Sequence, residues 1–131
     1  MLLLTIDTSL RNCNVVLAKN NKVLRELVWG DEIKQSSRVL EAVDSVLAGA
    51  GIKLNDLEGF GVTVGPGSFT GLRIGMSTVK GLALALNKPV AGICVLETLA
   101  RQAVEFAAGL PITAMLDGSK KEVFVRRYVV V

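Results

Sequence analysis

Apolar residues in this chain come first in short bursts and then in long stripes. Leu2 to Ile6 is a strand-length burst that ends in Asp7-Thr8-Ser9. Residues 7–12 carry side chains that close turns on their own backbone. A second burst spans Asn14 to Leu17, Asn20-Asn21 mark a tight turn, and Val23 to Trp29 return. This spacing predicts three antiparallel strands in a meander, broken at Gly30 and Asp31. The period then lengthens. From Lys34 to Gly49, the residues Ser36, Val39, Leu40, Val43, Val46, Leu47 and Ala50 share one broad helical stripe, with Arg38, Glu41, Asp44 and Ser45 elsewhere on the wheel. Gly49 and Gly51 stop that helix, and a fourth strand runs from about Gly59 to Val64.

The most informative stretch follows: Gly65-Pro66-Gly67-Ser68-Phe69-Thr70-Gly71-Leu72-Arg73-Ile74. Pro66 presets a turn, the flanking glycines can take positive φ, and Ser68 is a good N-cap. The segment predicts a strand, a tight turn and a helix over Phe69 to Leu86. Such a corner can hold an anion on its amides, or it can simply aim a helix. Along that helix Leu72, Met76, Val79, Ala83 and Leu86 form one apolar row, and Gly71, Gly75, Thr78 and Ala85 a neighbouring row of small side chains. Only Arg73, Ser77 and Lys80 leave a wet strip. A helix this apolar is expected to be covered on more than one side, and the small row would let another helix come close. Asn87-Lys88-Pro89 end it.

Val90 to Ile93 then reads as a short buried strand, Glu97 to Phe106 as a third helix, and Gly109-Leu110-Pro111 as a break. Ile112 to Leu116 and Glu122 to Val131 read as a hairpin around a turn at Asp117 to Lys121. The order β-β-β-α-β-α-β-α predicts a mixed five-stranded sheet with three helices. The last hairpin resembles the opening of a second copy of the pattern and has no helix to cover it, which points to a longer, two-lobed protein.

Composition narrows the chemistry. The chain has 131 residues, half of them apolar, so one compact core is within reach. No apolar run approaches the ~20 residues of a membrane span, and no signal peptide is evident, so a cytoplasmic protein is expected. Histidine is absent, which excludes a histidine base, a Ser-His-Asp triad and every histidine-ligated metal. Cys13 and Cys94 lack paired spacing and read as small buried apolar residues. The net charge is only +3. Lys120, Lys121, Arg126 and Arg127 cluster near the C-terminus, either as a weak RNA contact or as a solvated strand pair.

Ile6-Asp7-Thr8-Ser9, the Gly65-to-Arg73 corner, and Leu116-Asp117 ahead of Glu122-Val123 resemble the bacterial TsaB (YeaZ) family along the whole chain. The resemblance implies an α/β RNase H-like, actin-like lobe of the sugar-kinase and Hsp70 superfamily over residues 1–108. Residues 109–131 would then begin a second lobe, most of which a family member nearly twice this long would supply. It also implies a scaffold role, without catalysis, in forming N6-threonylcarbamoyladenosine at position 37 of tRNAs that read ANN codons. The implied partners are a TsaD-like catalytic paralogue and a TsaE-like ATPase, with self-pairing through the first two helices in their absence and only weak or indirect tRNA contact. The docking face would draw on Arg38, Val39 and Val43 of the first helix and on Leu72, Arg73, Met76, Val79, Lys80 and Ala83 of the second. ATP and Mg²⁺ would be used by the partners. One departure stands out: family members often open the first helix with His-Ser or His-Thr and carry a proline about six residues on, where this chain has Gln35-Ser36 and Glu41. With no histidine, the iron or zinc site of the paralogue is not expected.

Three loops look like a vestigial nucleotide cleft. Asp7 stands where superfamily ATPases place a carboxylate near Mg²⁺ and water, with Thr8 and Ser9 as phosphate donors, or it closes an Asx turn. Gly65, Gly67 and Ser68 offer amides, or aim the helix. Asp117 could face Asp7 across the cleft, or sit in an ordinary hairpin turn. The alternative function is a small ATPase or kinase acting through Asp7 and Asp117.

Overall fold

A computed structural model describes residues 1–30 and 36–130. Asp31, Lys34, Gln35 and Val131, which bear on the expected strand break, helix start and strand end, lie outside the described residues. Strands β1 (Leu2–Asp7), β2 (Asn12–Lys19) and β3 (Lys22–Gly30) form the antiparallel meander. Helix α1 (Ser36–Ala50) crosses to β4 (Gly59–Gly65), and α2 (Phe69–Leu86) crosses to β5 (Val90–Cys94). The sheet order is β3-β2-β1-β4-β5, with β1–β4 and β4–β5 parallel. This is the mixed five-stranded sheet expected from the sequence. Helix α3 (Val95–Ala103) then leads to a separate hairpin, β6 (Ile112–Asp117) and β7 (Val123–Tyr128).

Alternation along β1 sorts the two faces of the sheet. Leu2, Leu4 and Ile6 are buried, while Leu3, Thr5 and Asp7 are half-buried. Opposite them, Leu17 pairs with Leu4 and Val15 with Ile6. On that inner face α1 contributes Val39, Ala42, Val43, Val46 and Leu47, and α2 contributes Val79 and Ala83. Helix α3 covers part of the other face and joins it to the hairpin through Leu96, Ala100, Ile112 and Ala114.

Helix α2 runs from Phe69 to Leu86 as its pattern predicts, because both ends are chemically marked. Ser68 Oγ accepts from the Gly71 amide at 3.2 Å, and Asn87 adopts the left-handed conformation that ends the helix. Elsewhere the structure corrects the sequence reading. Leu40 and Ser36 are exposed, and Ala42 takes the place given to Leu40 on the buried stripe of α1. β5 is an exposed edge strand, with Val90 42% accessible, since among the described residues β4 is its only strand neighbour. α3 starts two residues earlier than expected, at Val95, which is buried along with Leu96. The last residues expected in that helix, Val104 to Phe106, form a separate 3-10 turn. Cys13 is buried, but Cys94 is half-exposed and caps α3. Its thiol is held below the usual value, chiefly by the Glu97 amide and against the opposing effect of burial.

Half of α2 faces solvent. Phe69, Arg73, Ser77, Lys80, Gly81 and Leu84 are exposed, and Leu72 and Met76 line the boundary. The inner and outer faces therefore respond differently to the same change. Val79→Lys, which buries a charge, is expected to cost about 3 kcal/mol or more, whereas Leu84→Lys should stay within about 0.5 kcal/mol of the parent. Urea unfolding of the two variants checks the contrast.

Candidate functional site

The turn after β1 and the corner before α2 meet at one place. Asp7 Oδ1 accepts from the Ser9 amide (2.9 Å), the Ser9 hydroxyl (2.6 Å) and the Thr63 hydroxyl of β4 (2.9 Å). The first of these is the Asx turn expected of such a sequence. The Thr8 hydroxyl donates to the Gly71 carbonyl at 2.6 Å, and the Ser68 amide donates to the Ser9 carbonyl at 2.7 Å. Thr8 and Ser9 are buried. Their hydroxyls and the Ser68 amide thus have partners within the chain, and the corner aims and anchors α2.

The glycines of the corner serve this close approach. A Cβ on Gly67 would overlap the Ser9 carbonyl, one on Gly71 the Thr8 carbonyl, and one on Gly75 the Thr8 hydroxyl. At Gly71 and Gly75 the small-residue row of α2 therefore receives the chain's own loop, where the sequence suggested a second helix. Ala85 lies apart from it and is exposed. Gly65 alone among the corner glycines has positive φ, at 124°.

Asp7 also lines a cleft of about 320 Å³ between the sheet and α3. Its walls include Thr5, Asn14, Thr63, Thr98 and Gln102 beside Ile93 and Leu99. Asp117 is not among the lining residues. It is exposed on the hairpin, where its Oδ1 accepts from the Ser119 amide at 2.9 Å. That turn repeats the Asp7–Ser9 contact at the same length.

The residues expected at a docking face divide in two. Arg73 and Lys80 are exposed, Leu72 and Met76 half-buried, and Arg38 half-buried beside Glu41 at 3.2 Å. Val39, Val43, Val79 and Ala83 are correctly placed on apolar rows but point inward, with at most 5% exposure. They pack against the sheet and are unavailable to a partner while the lobe is folded. The sequence reading missed Phe69, Leu84 and Leu40, which are 74%, 85% and 44% exposed. On a helical wheel Phe69 and Leu84 flank Arg73 and Lys80, so the wheel held the signal once the inner side was known. The Arg73 guanidinium lies 5.4 Å from the Phe69 ring centroid, in cation–π range.

Gly71 and Gly81 test the loop-to-helix contact, because only the first lacks room. Gly71→Ala is expected to cost about 1–3 kcal/mol by overpacking against Thr8. Gly81→Ala, in open space, should gain up to about 1 kcal/mol of helix propensity. Thermal unfolding of both variants reads the difference in sign.

With the geometry in hand, relatives can be compared. The family model for TsaD, tRNA N6-adenosine threonylcarbamoyltransferase, matches residues 32–131. The tRNA threonylcarbamoyladenosine biosynthesis protein TsaB of Haemophilus influenzae is 33% identical over 129 residues, covering 97% of this chain and 53% of the relative. The solved structure of YeaZ from Pseudomonas aeruginosa superposes with a TM-score of 0.85 at 32% identity, over 99% of this chain and 61% of that one. RuvC of Thermus thermophilus, with a TM-score of 0.53, 15% identity, and coverage of 80% of this chain and 69% of its own, shares the fold alone. The chain spans about half the length of the curated relatives it matches. Among the described residues no helix is long and apolar enough to cross a membrane. By sequence and by fold, the chain belongs to the TsaB (YeaZ) family, within the wider group that the TsaD model describes.

Proposed function

We propose that the protein is a non-catalytic interaction subunit in the formation of N6-threonylcarbamoyladenosine on tRNA, and that the outward face of α1 and α2 docks a TsaD-like paralogue. The observation that carries this reading is the solvent-facing strip of α2. Phe69 and Leu84 expose most of their surface there, beside half-buried Leu72 and Met76 and the cations Arg73 and Lys80. Apolar anchors with a charged rim are the usual make-up of a protein interface, and an arginine stacked on an aromatic ring is a typical hot spot. From α1, exposed Leu40 adds apolar surface, while Glu41 and Asp44 add negative charge.

Catalysis belongs to the partner in this proposal, as does the use of ATP and Mg²⁺. Two observations support a weak nucleotide site at most. The hydroxyls of Thr8 and Ser9 already donate, to the Gly71 carbonyl of α2 and to the Asp7 carboxylate. Among the described residues, the cleft lining around Asp7 holds no lysine or arginine to offset the charge of a phosphate chain. The modification of position 37 in tRNAs reading ANN codons, a TsaE-like ATPase as a further partner, self-pairing through the same helices, and a cytoplasmic setting form part of the same proposal.

Phe69→Glu and Leu84→Glu place charges on this strip without entering the core. Each is expected to weaken binding to the TsaD-type paralogue of the same organism by about 2 kcal/mol, roughly thirtyfold in Kd. Titration calorimetry measures the affinity, and circular dichroism confirms that the variants stay folded. Undiminished binding by both variants would remove α2 as the docking element. Micromolar Mg-ATP binding that disappears in Asp7→Ala would instead favour the ATPase.

A further inference from the structure

The cleft and the exposed strip of α2 share one root, the Asp7 carboxylate. We propose that Asp7 is a positioning residue for α2: its Oδ1 holds Thr8 and Ser9 in the shape that seats the first turns of the helix. Through them it sets the face that α2 offers a partner. The last step rests on the docking reading above, and the first does not.

Three donors converge on a single oxygen, two from Ser9 and one from Thr63. Ser9, the source of two of the donors, is only 1% exposed, so water is a poor substitute for the acceptor it uses. The loop passes the constraint on. Ser9 receives the Ser68 amide at the start of α2, and the Thr8 hydroxyl reaches the Gly71 carbonyl. At Gly67, Gly71 and Gly75 the loop lies so close that no Cβ fits between it and the corner or helix. A loop with no slack against a helix moves that helix when it moves. Phe69 and Arg73 stand on the opposite side of the same turns.

This role needs an acceptor at Oδ1 and not a negative charge. Asparagine supplies a carbonyl oxygen at the same place, and alanine supplies nothing. A carboxylate acting on a metal or a phosphate would lose its function in both substitutions. The order of the two variants therefore separates the roles.

Hydrogen exchange on the 131-residue chain, followed at the amides of 71–75, reads the first step. Asp7→Ala is expected to speed exchange there by about tenfold, and Asp7→Asn to stay within about twofold of the parent. Titration with the TsaD-type paralogue reads the second, with about tenfold weaker binding for Asp7→Ala and parental binding for Asp7→Asn. Leu17→Ala, a core truncation on β2, sets the baseline for lost global stability, and its partner affinity should remain parental. Should Asp7→Ala fail to fold, Thr63→Val removes one donor of the three and gives a smaller rise at the same amides. Unchanged exchange at 71–75 in the folded variant, or Asp7→Asn behaving like Asp7→Ala, would overturn the proposal. If the parent chain does not bind the paralogue, the docking reading falls, and the exchange data still decide the role of Asp7.

Discussion

The tightest constraint in this lobe is a seam of backbone against backbone. The carbonyls of Thr8 and Ser9 lie where side chains on Gly67 and Gly71 would have to be, so the turn after the first strand and the helix after the fourth touch without padding. Neither element has freedom to drift against the other, since interiors at this density transmit small displacements. The parallel pairing of β1 with β4 brings the two loops to the same end of the sheet. The rest of the architecture follows from that alignment. Val79 and Ala83 come down onto the inner face, and the opposite half of α2 turns outward.

Much of this was legible in the amino-acid order, and the reasons differ by element. α2 was readable to the residue because Ser68 and Asn87 carry capping chemistry that is local. The meander was readable because its strand-length apolar bursts and the Asn20-Asn21 turn between them are also local signals. What failed was whatever depends on a neighbour distant in sequence. Val90 to Ile93 is apolar enough for a central strand, yet nothing in it says that, among the described residues, β4 alone lies alongside. The apolar rows of both helices were found, but periodicity gives a row without saying which flank meets the sheet. Val39, Val43, Val79 and Ala83 were therefore offered to a partner while they hold the core, and Phe69 and Leu84 were passed over.

The candidate site shows the same division. The Asx turn at Asp7 and the cap at Ser68 could be written down from composition alone. Thr63 could not, because a threonine in a strand is ordinary and its hydroxyl matters only once β4 lies beside β1. The glycines were recognised as small, but the object that fills the space they leave is a loop more than fifty residues earlier in the chain.

The β6–β7 hairpin carries a different consequence. Its outer surface presents Met115, Val123 and Val125, all more than half exposed, and among the described residues β7 pairs with β6 alone. An open ribbon of this kind is a template on which further strands can grow. Arg126 and Arg127 sit on that ribbon, Arg126 stacked near the Tyr128 ring, so two such ribbons meeting edge to edge bring like charges together. Repulsion of that sort weakens as ionic strength rises. Edge-to-edge contact between two such ribbons is thus opposed in dilute electrolyte and eased in concentrated salt.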